Sequence, residues 1–181
     1  LKINKAIQVC YYLDEENKLV ISKSGLSFLK EDYDLSQIFF RSLLKWQLPN
    51  PSTSDFTEKD GFNIKPFIGI LHLIKKVNYL WEQKGNNPVG LHRTEFLIFA
   101  HLLMNYELID EMANQIINFR ELKSQVKGKK EKKEFDIKFH YDYVKTLLNI
   151  DSKKTIEKVI KNCKDYLDNT LRYFRTTGYI S

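Results

Sequence analysis

Asp151-Ser-Lys-Lys-Thr-Ile156-Glu-Lys-Val159-Ile160-Lys-Asn-Cys163-Lys-Asp-Tyr-Leu167-Asp168-Asn-Thr170-Leu171-Arg172-Tyr173-Phe174-Arg175-Thr176-Thr177-Gly178 decides how the chain folds. Apolar residues at 156, 159, 160, 163, 167, 171 and 174 recur every three or four positions, so one long amphipathic helix is predicted here. Asp151 stands where its N-cap is expected. Arg172 and Arg175 are three apart and share the outward side, while Leu171 and Phe174 turn to the core.

Charge is lopsided in the same direction. Residues 1–120 hold 14 Lys+Arg against 14 Asp+Glu, whereas residues 121–181 hold 15 against 9, so the net charge of +6 belongs to the C-terminal third. A polyanionic partner would be met there. Residues 123–133 hold six lysines against one acid. Two readings stay open for that run: a solvated, mobile loop, or contacts to nucleic-acid backbone through Lys127, Lys129, Lys130, Lys132 and Lys133.

Working towards the N-terminus, the predicted elements are mostly helical. Residues 106–127 read as a helix with Leu108, Met112, Ile116 and Phe119 inward, and residues 91–103 as another opened by Arg93-Thr94-Glu95. The two suit either a helix-turn-helix or a plain helical hairpin. Pro66 begins a further helix to about Gln83, with Phe67, Ile70, Leu71, Ile74, Val77 and Trp81 on one face. A helix over 35–46 precedes it, and Pro49-Asn-Pro51-Ser-Thr-Ser-Asp55 ends that one. Residues 11–21 read as a hairpin around Asp14-Glu-Glu-Asn17-Lys18, leading to a short helix with Leu26 and Leu29 inward. A short helix is also expected over 139–148. The fold class is thus mainly α with short β-hairpins, in winged-helix or helix-turn-helix-like subdomains. Expected segments are 1–48, a partial winged helix; 49–63, a linker or loop; and 64–181, a helical recognition subdomain cut short at its C-terminal end.

Several chemistries find no support. The apolar stretch 67–80 is interrupted by His72, Lys75, Lys76 and Asn78 and cannot cross a bilayer, and no signal peptide is recognisable, so a cytoplasmic protein is expected. Cys10 and Cys163 form neither a CxxC pair nor a disulfide framework and are read as core residues. Four scattered histidines lack metal-ligand spacing, and no glycine-rich phosphate loop occurs. An acid-x-Lys pattern, which in metal-dependent nucleases pairs Mg²⁺ carboxylates with a lysine, occurs at Glu16, Glu82, Glu121, Glu131, Asp136 and Asp151. About three such matches arise by chance in a chain so rich in both residue types, and no catalytic residue is assigned.

Three blocks share a resemblance. They are Tyr12-Leu-Asp-Glu-Glu through Leu19-Val-Ile-Ser to Leu43-Leu-Lys45-Trp46-Gln47-x-Pro49; Ile64-Lys-Pro66-Phe through Leu73-Ile-Lys75-Lys76-Val77 to Phe119-Arg120; and Asp168-x-Thr170-x-Arg172-Tyr173-Phe174-Arg175-x-Thr177-Gly178. In order and spacing they resemble the N-terminal recognition region of the AlwI-type (BstNBI-like) type IIS restriction and nicking endonucleases. The resemblance covers nearly the whole chain and departs from the family pattern at 82–89. It implies winged-helix-like subdomains that bind a short site in double-stranded DNA, with cutting left to a separate Mg²⁺-dependent PD-(D/E)xK domain. A chain that starts without methionine and stops where a strand is expected to begin reads as a piece of such a protein, with no cofactor of its own and with a cleavage domain or second subunit as further partner. Candidate DNA contacts are Arg93, Thr94, Arg172, Arg175, Thr176 and Thr177 together with the five lysines. Arginine forks suit guanine edges and phosphate equally, and the alternative for Arg172 is an ion pair with Asp168. The rival classes are a winged-helix regulator or interaction module without nuclease, and a small nuclease in its own right.

Overall fold

A computed structural model describes residues 11–50 and 56–178, with backbone alone for residues 11–13 and Phe28. Cys10, the residues from Pro51 to Asp55 and the strand expected after Gly178 lie outside them. The order is β1 (Tyr11–Leu13), β2 (Leu19–Ile21), α1 (Lys23–Leu29), α2 (Leu35–Lys45), α3 (Pro66–Gln83), α4 (Arg93–Phe99), α5 (Ile109–Gln125), α6 (Lys129–Leu147) and α7 (Lys153–Thr176), with short 3₁₀ turns at Glu58–Asp60, Ala100–Leu102 and Tyr106–Leu108. The chain is mainly helical, as its periodicity predicts.

Two compact units divide the chain. One comprises Leu1–Ile68 with Asn169–Ser181, the other Gly69–Asp168. The boundaries fall inside α3 and α7, so these units do not follow the segments 1–48 and 64–181.

In the first unit, β1 and β2 pair antiparallel with Tyr12 opposite Val20. Asp14 makes the turn, its Oδ1 accepting from the amides of Glu16 (3.0 Å) and Lys18 (2.8 Å), while Asn17 takes a φ of 59°. An Asx side chain that mimics backbone in this way is why an acidic loop can close a hairpin. Contrary to the sequence reading, Leu26 and Leu29 of α1 are exposed, 46% and 73%. Asp34 caps α2 through the Gln37 amide at 3.2 Å. Leu48 and Ile64 exchange backbone hydrogen bonds of 2.8 and 3.0 Å, closing the loop between α2 and α3. The core is aromatic: Phe67 meets Phe174 edge-on with centroids 4.9 Å apart and Phe40 at 6.1 Å, and Phe39 stacks on Tyr173 at 5.8 Å. Phe67 and Phe174 are fully buried, so each contributes a hydrophobic term of the order of 2–3 kcal/mol.

The second unit is built on another aromatic cluster. Phe99 of α4, Phe119 of α5 and Phe139 and Tyr143 of α6 meet at centroid distances of 4.7 to 6.1 Å. That cluster explains a correction. The lysine run is not a loop as far as 133, and the last helix before α7 is not short, because α6 starts at Lys129. Phe135, Phe139 and Tyr143, four residues apart, give α6 an inward stripe, and Lys and Glu are good helix formers on its exposed face. Only residues 126–128 separate α5 from α6, with Gly128 at φ 93°. In that left-handed region a side chain is strained, and an added Cβ would also run into the Glu131 carboxylate. The start of α7 also differs from the expectation at Asp151. It is capped by Ser152, whose carbonyl and hydroxyl meet the Thr155 amide, whereas Asp151 pairs with Lys145 at 3.3 Å.

Candidate nucleic-acid interface

The start of α4 is held by a set of side-chain bonds. His92 occupies the N-cap, and its amide donates to Glu95 Oε2 at 2.9 Å. Glu95 is 2% exposed, and there it meets Arg120 of α5, which donates from Nε to Oε1 at 2.8 Å and from Nη2 to Oε2 at 2.7 Å. The same Nη2 reaches the Gly90 carbonyl at 2.5 Å, and the Trp81 ring lies 5.1 Å from the guanidinium carbon. Gly90 is held on its other side by Asn78 of α3, whose Oδ1 accepts from the Gly90 amide at 2.9 Å. This buried pair has no local sequence signature, since its members stand 25 residues apart.

Arg93 and Thr94 follow directly on that anchored turn. Arg93 is exposed and paired with Asp168, and Thr94 is half-buried. Thr94, His92, Arg120, Ser124 and Lys132 line one cleft of about 460 Å³, with Trp81 on its wall. A neighbouring cleft of about 470 Å³ around Gly128 is lined by Lys123, Lys129, Lys132 and Lys133, and the two share Lys123 and Lys132. Residues more than thirty positions apart in sequence thus line clefts in which Arg120 and Lys123 are paired with Glu95 and Asp136, and Lys129, Lys132 and Lys133 add further cationic groups. Lys123 is held there by both oxygens of Asp136, at 2.7 and 2.8 Å. Lys127, Lys129, Lys130, Lys132 and Lys133 are all exposed.

Arg172, Arg175, Thr176 and Thr177 belong to the other unit. Arg172 is exposed and donates to Asn169 Oδ1 at 3.0 Å; the Asp168 carboxylate goes to Arg93, so the ion pair weighed for Arg172 is not the one formed. Arg175 is exposed on the last turn of α7. The Thr176 hydroxyl donates to the Arg172 carbonyl at 2.9 Å. Thr177 is 4% exposed, and its hydroxyl donates to the Phe174 carbonyl at 2.5 Å at the helix end. Within the first unit, a cleft of about 800 Å³ brings Lys23, Arg41 and Lys45 together with Asp32 and Asp34, a lining of mixed charge.

Among the described residues no group of three His, Cys, Asp or Glu side chains converges. Cys163 is buried, which pushes its thiol up to about 12 and fits a core role. No described helix is long and apolar enough to cross a membrane.

A family model described as AlwI restriction endonuclease matches residues 7–181, and the chain belongs to that family. A search of curated proteins found no match.

Proposed function

We propose that this chain reads a short site in double-stranded DNA as the recognition part of a type IIS restriction endonuclease, with strand cleavage assigned to a separate Mg²⁺-dependent PD-(D/E)xK domain. One observation carries this reading: the start of α4, with Thr94, and the lysines at the start of α6 line connected clefts in a member of a restriction endonuclease family. Short polar side chains at a helix start reach base edges, while flanking lysines hold phosphate and set the register. Lysines in the first turn of α6 also run against the helix dipole, which favours anions at that end. A phosphate between Lys129, Lys132 and Lys133 offsets that repulsion.

Arg93 and Thr94 are the proposed base readers of the second unit. Arg172, Arg175 and Thr176 supply contacts from the first, where we read the β1–β2 hairpin as a wing. Lys127, Lys129, Lys130, Lys132 and Lys133 contact backbone. The test is selection of bound duplexes from a random pool, followed by affinities at two salt concentrations. Recovery of one short asymmetric motif, with each mismatch costing about 1–3 kcal/mol, supports the reading. Binding that is salt-sensitive yet blind to sequence overturns it.

A further inference from the structure

We infer that Glu95 and Arg120 are positioning residues for sequence discrimination: their buried ion pair fixes the α4 start so that Arg93 and Thr94 meet DNA in one orientation. The inference rests on the DNA-reading function proposed above. Its physical ground is the choice of chemistry in the interior. A charge pair desolvated to 7% and 3% side-chain exposure gains little net stability, because the cost of removing both ions from water offsets their attraction. Apolar side chains of similar size would fill the same space as well or better. A bidentate fork instead supplies directional bonds that a hydrocarbon contact lacks.

Every bond in this set converges on the same short segment. Glu95 holds the His92 amide, Arg120 holds the Gly90 carbonyl, and Asn78 holds the Gly90 amide. Three helices, α3, α5 and α4 itself, thereby clamp the turn at 90–92 immediately before Arg93. Gly90 sits at φ 65° with nothing within 4 Å of an added Cβ, and its amide and carbonyl are both held by side-chain bonds. Arg120 also lines the cleft that Thr94 and Lys132 share, which places the clamp against the proposed DNA face. Freed from it, the turn would sample several orientations, and a reader that is right for only a fraction of the time loses preference for its site while keeping phosphate attraction.

The deciding experiment is the double substitution Glu95→Leu/Arg120→Met, with unfolding midpoint, affinity for the selected duplex and affinity for scrambled duplex measured beside the wild type. The expected result is a fold at least as stable as wild type, unchanged affinity and salt slope on scrambled DNA, and a tenfold or greater loss of discrimination. Asn78→Ala removes the remaining tie without touching the charges, and a smaller loss in the same ratio is expected even if the double variant fails to fold. Discrimination kept in a folded double variant, or kept by Asn78→Ala when the double variant does not fold, overturns the inference alone. A wild-type protein that binds all duplexes alike overturns the DNA-reading function, and this inference with it.

Discussion

Arg93, the first residue of α4, is paired at 2.5 Å with Asp168 of α7, 75 positions along the chain. Both side chains are well exposed, at 60% and 70%, so the pair is weak in water. If Arg93 contacts DNA as proposed, a phosphate competes there with the carboxylate, and Asp168 sets how much of the Arg93 charge the DNA meets. The substitution Asp168→Asn is expected to tighten binding to any duplex several-fold at low salt, to lose that gain at high salt, and to change stability by less than about 1 kcal/mol. Titrations at two salt concentrations check this, and unchanged low-salt affinity would remove Arg93 from the DNA contacts.

At the end of α7 a single substitution separates two roles. Arg172 spends one nitrogen on Asn169, and the guanidinium remains exposed. If it reads a base, Arg172→Ala costs roughly 1–3 kcal/mol on the selected site and little on scrambled DNA. Equal losses on both assign it to phosphate, and no loss on either takes it out of the interface.

The lysines at the start of α6 make a different prediction, because their effect appears in the salt dependence. Each phosphate neutralised adds about 0.9 to the slope of log affinity against log salt on duplex DNA. Replacing Lys129, Lys132 and Lys133 by glutamine should therefore lower the slope by up to about 2.7, with the preference among sequences kept. A slope that does not move would leave this face to solvent.

Legibility in the sequence tracked locality. The stripe of α7 and the Pro66 start of α3 depend on residues three or four apart, and both elements appear where the pattern puts them. Lysines masked α6, since a run of charge reads as loop although Phe135, Phe139 and Tyr143 already carried a helical period. Arg93 and the lysines were legible as candidates from charge, but the cleft shared by Thr94 and Lys132 was not, because tertiary packing alone brings them together. Glu95–Arg120 was invisible for the same reason. Thr177 was legible as a polar residue beside two arginines, but its burial was not.

Acid should weaken the second unit through His101 and His140. Burial lowers both from 6.5 to about 4, and for His140 the charges of Lys164 and His101 add to that effect. His140 is 3% exposed, with its Nε2 buried and lacking a hydrogen-bond partner among the described residues. Both imidazoles are therefore neutral in the fold, while in the unfolded chain they take up protons near 6.5. Because the folded values are depressed, their contribution is complete above about pH 6.5 and is lost as pH falls towards 4. The slope reaches about 1.4 kcal/mol per pH unit for each histidine, and the total is of the order of 3 kcal/mol for each. Most carboxylates stay ionised down to about pH 5, so the window from about 6.5 to 5 isolates the histidines. Denaturant midpoints measured across that window should fall steadily in the wild type and less steeply in His140→Leu, which keeps the buried volume and removes the proton site. A wild-type midpoint that stays flat from pH 6.5 to about 5 would mean that neither histidine is held neutral by the fold.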